Sequence, residues 1–221
     1  MVLRWSGWPR FALGAMVWGA AGVGAVAFGP VHAARAHDSA QVGIRLDPAS
    51  NRLITREYFG SMFFGDDDRV FGGDFSIVPG KAFGDQPGFG APMGLLPEGQ
   101  RLRVSITKPL QVWAGSLFVP FSARLRIEDP SGMEPTIISP TTPMDLGSAP
   151  SMNLHAHAGE MLHVHPDYYL TDSSGTRAAP NGVYLAEMVL TSLDSSIGAS
   201  DPFWLVLNLG RPHAEHDEVK D

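Results

Sequence analysis

Short runs in which apolar and polar residues alternate are the feature that most restricts the fold of this chain. Leu102, Val104 and Ile106 alternate with polar neighbours, and the apolar residues of 121–127 do the same. A period of two places such side chains on one face of a half-buried strand. From residue 37 onward we find no long stretch with helical periodicity and no internal repeat. The chain is therefore predicted to be all-β.

Two further segments, 183–190 and 203–207, are almost continuously apolar and are predicted to be strands buried on both faces. Turn clusters of Asp, Asn, Ser, Pro and Gly separate the runs at 129–132, 173–175 and 180–182. Several short strands separated by such turns predict an antiparallel β-sandwich.

Glycine and proline are abundant, with 25 and 18 of the 221 residues, which favours a turn-rich fold with long Gly- and Pro-rich loops. The segment from Gly60 to Gly99 is rich in both, and in phenylalanine, but has few alternating runs. We therefore expect long ordered loops in this segment rather than a second domain.

The first 36 residues have the pattern of a secretory signal peptide. Arg4 and Arg10 form a basic start, residues 11–28 are apolar or small, and Ala-Arg-Ala at 34–36 has the form of a cleavage site, which would leave His37 first. Eighteen apolar residues are also at the lower limit for a membrane span, so a retained anchor is the other interpretation. We expect an exported, periplasmic or extracellular protein with no stable membrane span after processing.

The predicted organisation is a signal peptide at 1–36, a β-sandwich domain at 37–210 and an acidic, histidine-containing tail at 211–221. Removing the signal peptide takes away three arginines and no acid, which changes the formal charge from −7 to −10. Nucleic-acid binding needs clustered Lys and Arg, so no nucleic-acid partner is expected.

The chain contains no cysteine. This excludes a disulfide framework, a thiolate zinc site, an iron–sulfur cluster and a cysteine nucleophile. A transition metal would therefore be held by imidazole, carboxylate or amine groups. Nucleophile-elbow, phosphate-loop, dinucleotide-binding and zinc-protease motifs are also absent from the sequence, so enzymatic activity is not predicted.

Histidines occur in close pairs, His155 with His157 and His163 with His165. Residues two apart in a strand point to the same face, so each pair would present two imidazoles side by side. A hairpin turning about Glu160 would align the two pairs, with opposed Cβ atoms about 4.5–5.5 Å apart. One face of this hairpin would be apolar and the other would carry imidazole.

Neutral imidazole binds zinc, copper, nickel and iron. We therefore predict a metal site, zinc first and copper as the alternative, with the ligands His37, His155, His157, His163, His165 and His216. Nearby candidates for an oxygen ligand, or for an acceptor that fixes a histidine tautomer, are Glu160, Asp167 and Asp172. The other interpretation is that the paired histidines are exposed and incidental.

Two further histidine positions have specific alternatives. If cleavage makes His37 the first residue, its α-amine and ring nitrogen could chelate one metal in a histidine brace, as in copper oxygenases, although a terminus is often disordered. His213 and His216 lie in the acidic tail, which is interpreted as a metal-binding tract or as a solvated charged end. The acids at 66–68 lack the spacing of a calcium loop and are predicted to be an acidic loop.

A set of short motifs resembles a known family. In order, the sequence contains DQPGF at 85–89, LPEG at 96–99, LQVWAG at 110–115, HVH at 163–165, GVYLAE at 182–187 and SDPFWLVLN at 200–208. It is similar to exported bacterial proteins described as Zur-repressed, which often carry a PEP-CTERM sorting tail.

The resemblance implies a zinc-responsive gene and a role in zinc binding or zinc economy at the cell surface. It extends to His37, His163, His165 and His216, but not to the pair at 155 and 157. Because the sequence ends without a sorting tail, we expect a free periplasmic or secreted protein.

The sequence therefore predicts an exported, non-enzymatic metal-binding protein, zinc being the expected ion, with a role in metal homeostasis. Two alternatives stay open: a copper-dependent oxidative enzyme with a histidine brace at its N-terminus, and a structural or carbohydrate-binding surface module. The metal ion is the expected partner, and the sequence names no protein partner.

Overall fold

The computed structural model describes residues 41–59, 62–64, 68–97, 99–155 and 162–220. Within these ranges the chain forms sixteen strands and one helix, so the all-β prediction is confirmed. The predicted signal peptide lies outside the described residues.

The first eight strands are β1 (Gln41–Asp47), β2 (Arg52–Phe59), β3 (Met62–Phe64), β4 (Val70–Val78), β5 (Lys81–Gly84), β6 (Phe89–Ala91), β7 (Arg101–Ile106) and β8 (Gln111–Trp113). The remaining elements are β9 (Phe118–Pro120), β10 (Arg124–Glu128), β11 (Ile137–Ile138), β12 (Ser151–His155), β13 (Leu162–Val164), β14 (Asp167–Thr171), β15 (Gly182–Ser192), β16 (Phe203–Leu209) and α1 (His213–Lys220).

A five-stranded sheet has the order β13-β6-β1-β2-β3. Its centre is the β1–β2 hairpin, which pairs Gln41 with Tyr58 at one end and Asp47 with Arg52 at the turn. The carboxylate of Asp47 accepts hydrogen bonds from the turn amides, and Asn51 adopts a positive φ of 51°. β6 lies parallel to β1, and β13 lies antiparallel to β6.

An eleven-stranded sheet has the order β11-β10-β14-β5-β4-β16-β15-β7-β12; in addition, β8 pairs with β15, and β9 pairs with β8. Its pairs are antiparallel except for β4 and β16, which are parallel. Together with the parallel β1–β6 pair, this makes both sheets mixed. The predicted antiparallel sandwich is therefore mostly right, and the observed arrangement is a sandwich-like pair of mixed, curled sheets.

The hydrophobic core is built from the inner faces of both sheets. Phe89 of β6 contacts Phe203 of β16 with ring centroids 6.5 Å apart in an edge-to-face arrangement, and Phe203 also contacts Phe71 of β4. β15 and β16 are buried on both faces over most of their length, as their apolar sequences predict. The strands that carry His155 and His163, β12 and β13, lie at the edges of these sheets and contribute Leu154 and Leu162 to the core.

The expectation of long loops between Gly60 and Gly99 is wrong, because the described part of this segment contains β3, β4, β5 and β6. The reason lies in what its glycines do. A Cβ atom at Gly73 in β4 would lie 2.3 Å from the carbonyl oxygen of Gln86. Glycine here permits close approach of β4 to the backbone segment between β5 and β6, and it does not break the strand.

The expected hairpin that pairs residues 155 and 165 is also wrong. β12 pairs with β7 in the larger sheet, whereas β13 pairs with β6 in the smaller one. The alternation of apolar and polar residues correctly predicted which face of each strand is apolar, since Leu154 and Leu162 are both buried. It did not determine which neighbour each strand would pair with.

The tail segment forms helix α1, which contacts β16 and β4. His216 is only 5% exposed, although the tail is rich in charge. Among the residues that the structure describes, no helical segment is both long and apolar enough to cross a bilayer.

Candidate metal centre

One patch of the five-stranded sheet, on the face opposite to its apolar one, carries the polar side chains of the candidate centre. Register aligns Gly43 of β1, Gly90 of β6 and His163 of β13 across three strands. Gln41 lies two residues before Gly43 and pairs with Tyr58 of β2. Cross-strand partners share a face, so these five residues lie on the same side of the sheet.

Two glycines form the floor of this patch. A Cβ atom at Gly90 would lie 2.4 Å from the ring of Tyr58, and one at Gly43 would lie 2.6 Å from the Cβ of Tyr58. The Tyr58 side chain therefore occupies the space that a side chain at Gly90 would fill, and it shares that role at Gly43 with the ring of Phe63, which would lie 2.5 Å from a Cβ atom there. Burial raises the pKa of the Tyr58 hydroxyl.

His163 and His165 lie side by side on this patch. Their Nε2 atoms are 2.7 Å apart and their ring centroids 4.8 Å apart. Leu162 on the opposite face of the strand is buried. The prediction that the two histidines share a face is therefore confirmed, and at this separation one ring nitrogen must donate while the other accepts.

The side-chain amide of Gln41 completes a triangle with the two imidazoles. Its Nε2 lies 3.4 Å from Nε2 of His163 and 3.3 Å from Nε2 of His165. Its Oε1 is buried and has no hydrogen-bond partner in the described part of the chain. A half-turn of the amide exchanges these two atoms with little change of shape, and it would direct the oxygen to both imidazoles.

This triangle has nearly the dimensions of a coordination sphere. Ligand atoms bound tetrahedrally to zinc at 2.0–2.1 Å lie about 3.3 Å from one another. The two edges that end at Gln41 already have this length, and only the edge between His163 and His165 is shorter. A small separation of the two rings would therefore accommodate an ion.

The outer nitrogen of His165 has partners that fit both neutral tautomers. Nδ1 lies 3.3 Å from the carbonyl oxygen of Asp85, which can accept its proton and so place the lone pair of the neutral ring on Nε2. Nδ1 also lies 3.1 Å from Nε2 of Gln86, which can donate when the proton is on the inner nitrogen. The ring lies against Gly88, where a Cβ atom would be 2.8 Å away.

The carboxylates proposed as oxygen ligands have other surroundings. Partial burial raises the pKa of Asp167, and the neighbouring Glu128 and Asp85 raise it further. Asp172 accepts hydrogen bonds from the amide and hydroxyl of Ser174 in its own turn. Glu160 lies outside the described residues.

His155 has a partner of its own. Its Nε2 lies 2.5 Å from Oε1 of Glu134, whose Oε2 accepts hydrogen bonds from Asn153. Burial opposes ionisation of Glu134, but these hydrogen bonds outweigh it and the pKa of Glu134 is lowered. β12 and β13 belong to different sheets, and His155 forms its ion pair within the larger sheet.

The predicted ligand set therefore separates into several places. His163 and His165 come together, His155 pairs with Glu134, and His216 lies on α1 near Asp74 and His213. His37 and His157 lie outside the described residues.

Sequence reasoning missed Gln41 and Gln86, the two amides that contact His165. Glutamine is not part of any common metal-binding sequence motif. In addition, Gln41 and Gln86 lie 124 and 79 positions from His165. The only sequence signal was the placement of Gln86 within a motif of the family resemblance.

No protein-family model matches this chain, and a comparison with curated proteins also finds no match. The resemblance to Zur-repressed exported proteins therefore stays a prediction from the motifs quoted above.

Proposed function

We propose that this protein is an exported metal-binding protein that coordinates a transition-metal ion, zinc first, through His163 and His165 and serves metal homeostasis in the periplasm or outside the cell. One observation carries the proposal: the two Nε2 atoms lie 2.7 Å apart with the amide of Gln41 within 3.4 Å of both.

The donor set supports zinc as the first candidate ion and copper as the second. Two imidazole nitrogens and an amide oxygen suit a borderline ion, and a cysteine-free chain offers no thiolate competitor. The described contacts of the His165 ring include an amide and a backbone carbonyl, which orient a ligand without serving as acid or base.

The first experiment measures bound metal on the exported protein. Protein recovered from the secreted or periplasmic fraction is dialysed against micromolar zinc or copper, and the metal is quantified per chain. Mass spectrometry of the same sample reads the N-terminus, which we expect to be His37. We expect stoichiometric zinc, with nitrogen ligands about 2.0 Å from the ion in X-ray absorption.

Variants identify the site. The double variant His163→Ala/His165→Ala should lose one equivalent of metal, whereas His155→Ala should retain the full amount because His155 pairs with Glu134. Equal metal content in the wild type and the double variant would overturn the site, as would absence of zinc and copper from both. Recovery of the protein only in the cytoplasm with residues 1–36 attached would overturn export.

A further inference from the structure

A second group of metal-binding side chains lies where the C-terminal helix meets the larger sheet. Asp74 of β4, together with His213 and His216 of α1, offers three ligand atoms that all lie within 4.8 Å of one another. We propose that these residues bind a second divalent transition-metal ion, such as zinc, and that this ion fastens α1 to the sheet. The inference does not depend on the site at His163 and His165.

His216 has the environment of a metal ligand. It is 5% exposed, and its Nε2–H donates to the carbonyl oxygen of Val206 at 3.1 Å. With this proton held by the backbone, the neutral ring has its lone pair on Nδ1. Metal-binding histidines usually donate their other ring nitrogen to a carbonyl or carboxylate in this way, which fixes both tautomer and orientation.

Asp74 is oriented for the same purpose by a buried amide. Its Oδ1 accepts a hydrogen bond from Nδ2 of Asn208 at 2.9 Å, while Oδ2 lies 3.9 Å from Nδ1 of His213. Asn208 also accepts from the backbone N–H of Arg211 at 3.1 Å. The same amide therefore holds both the carboxylate and the chain that leads into the helix.

His213 supplies the ligand that can adjust. It lies three residues before His216, a spacing that places both on one face of a helix. Its side chain is 77% exposed, so it can turn with little steric cost. An ion would draw the three ligand atoms from within 4.8 Å to about 3.3 Å apart, and His213 can make most of this movement.

The helix benefits from such a link. It has eight residues, fewer than the roughly 12–15 that an isolated helix needs in water. Among its described side chains, only His216 is buried. The positive end of the helix opposes a cation at His213, and the carboxylate of Asp74 offsets this, as does Asp217, whose Oδ1 lies 4.0 Å from Nδ1 of His216.

The test begins with a protein that lacks the first site. In the full chain carrying His163→Ala/His165→Ala, calorimetric titration with zinc should still give one equivalent. Hydrogen exchange of the amides in 213–220 should slow at least fivefold when zinc is added. Loss of zinc binding here, in a protein with wild-type circular dichroism, would overturn the second site while leaving the first untouched.

Three changes in that background then test each ligand. Asp74→Asn keeps an acceptor for Asn208, His213→Gln removes the exposed ligand, and His216→Gln keeps an N–H donor for Val206 while removing Nδ1. Each should weaken zinc at least tenfold and abolish the zinc-dependent slowing of exchange. The matched control is Asp201→Asn, an exposed acid paired with Arg52, which should change neither measurement.

Unchanged zinc affinity in Asp74→Asn would contradict the proposal. So would zinc-dependent protection of the helix that persists in both histidine variants. If the first site fails its own test but the Asp74→Asn chain loses one equivalent, only the proposed function at His163 and His165 is overturned.

Discussion

Gly88 lies directly beneath the imidazole of His165, so that a Cβ atom at this position would be 2.8 Å from Cε1 of the ring. Such a contact is shorter than carbon atoms tolerate. The ring must therefore move away if the glycine gains a side chain, and its distance to His163 must change with it.

We accordingly expect Gly88→Ala to weaken zinc binding at least tenfold while the protein stays folded, because the displaced group is a side chain at the surface of the sheet. The imidazole resonances of His165 in NMR spectra should shift in the metal-free protein. Gly147→Ala is the matched control, since no atom lies within 4 Å of a Cβ there. Equal zinc affinity in Gly88→Ala and Gly147→Ala would show that a side chain at Gly88 does not displace the imidazole of His165.

Tyr168 connects the core to the same segment. Its side chain is fully buried and its hydroxyl donates to the carbonyl oxygen of Pro87 at 2.8 Å, next to Gly88; burial raises the pKa of this hydroxyl. Tyr168→Phe leaves that carbonyl without its donor, which should lower the free energy of unfolding by about 1–2 kcal/mol. The melting temperature should fall by about 2–8 °C at this chain length.

The control is Tyr169→Phe, the same deletion at a half-buried position in the same strand, with an expected effect within about 0.5 kcal/mol. If the two variants melt together, the hydrogen bond to Pro87 does not contribute as described.

The pair of His155 and Glu134 predicts how stability depends on pH. The pKa of Glu134 is lowered from its ordinary value of 4.5, because its hydrogen bonds outweigh the effect of burial. A carboxyl whose pKa is lower in the folded state stabilises the fold above the unfolded pKa and loses that contribution as pH falls through the folded value.

Glu134→Gln should therefore lower the melting temperature at pH 7, by an amount that corresponds to about 1 kcal/mol, and the difference from wild type should shrink at pH 3. Thermal unfolding by circular dichroism at both pH values makes the comparison. If the melting temperatures of Glu134→Gln and wild type differ by the same amount at pH 3 and pH 7, the ionised carboxylate is not the source of the difference.

Local patterns in the sequence were sufficient for part of this structure. Alternation in 101–106 identified β7, and continuous apolar runs identified β15 and β16, because a strand's burial is encoded by its own side chains. The same period-two argument placed His163 and His165 on one face. Each of these inferences concerns residues that are close in the chain.

What could not be predicted concerns partners that are distant in the chain. β12 and β13 have suitable apolar faces for pairing with each other, yet each lies at the edge of a different sheet, β12 against β7 and β13 against β6. Gln41 reaches His163 across 122 positions of sequence, and Asp74 reaches the C-terminal helix across the β4–β16 pair. Which distant strands and side chains become partners depends on the packing of the whole domain, and a local sequence pattern does not contain that information.

The amide of Gln41 offers the most direct change at the candidate centre. Its side chain is 7% exposed and lies within 3.4 Å of both Nε2 atoms. In Gln41→Glu, a charged oxygen would take the position of the amide. A buried carboxylate is costly unless a counter-charge pairs with it, and neutral imidazole supplies none, so at pH 8 the metal-free variant should be less stable than wild type. With zinc bound, the same charge becomes a stronger ligand than the amide.

We therefore expect Gln41→Glu to bind zinc at least tenfold more tightly than wild type and to gain more melting temperature when zinc is added. Gln100→Glu is a closely matched control, because Gln100 is also 7% exposed but donates to Arg101 and Ser192 rather than to histidine. It should lose stability without recovery by zinc. A zinc-dependent gain in Gln41→Glu no larger than that of wild type would show that this side chain does not face a bound ion.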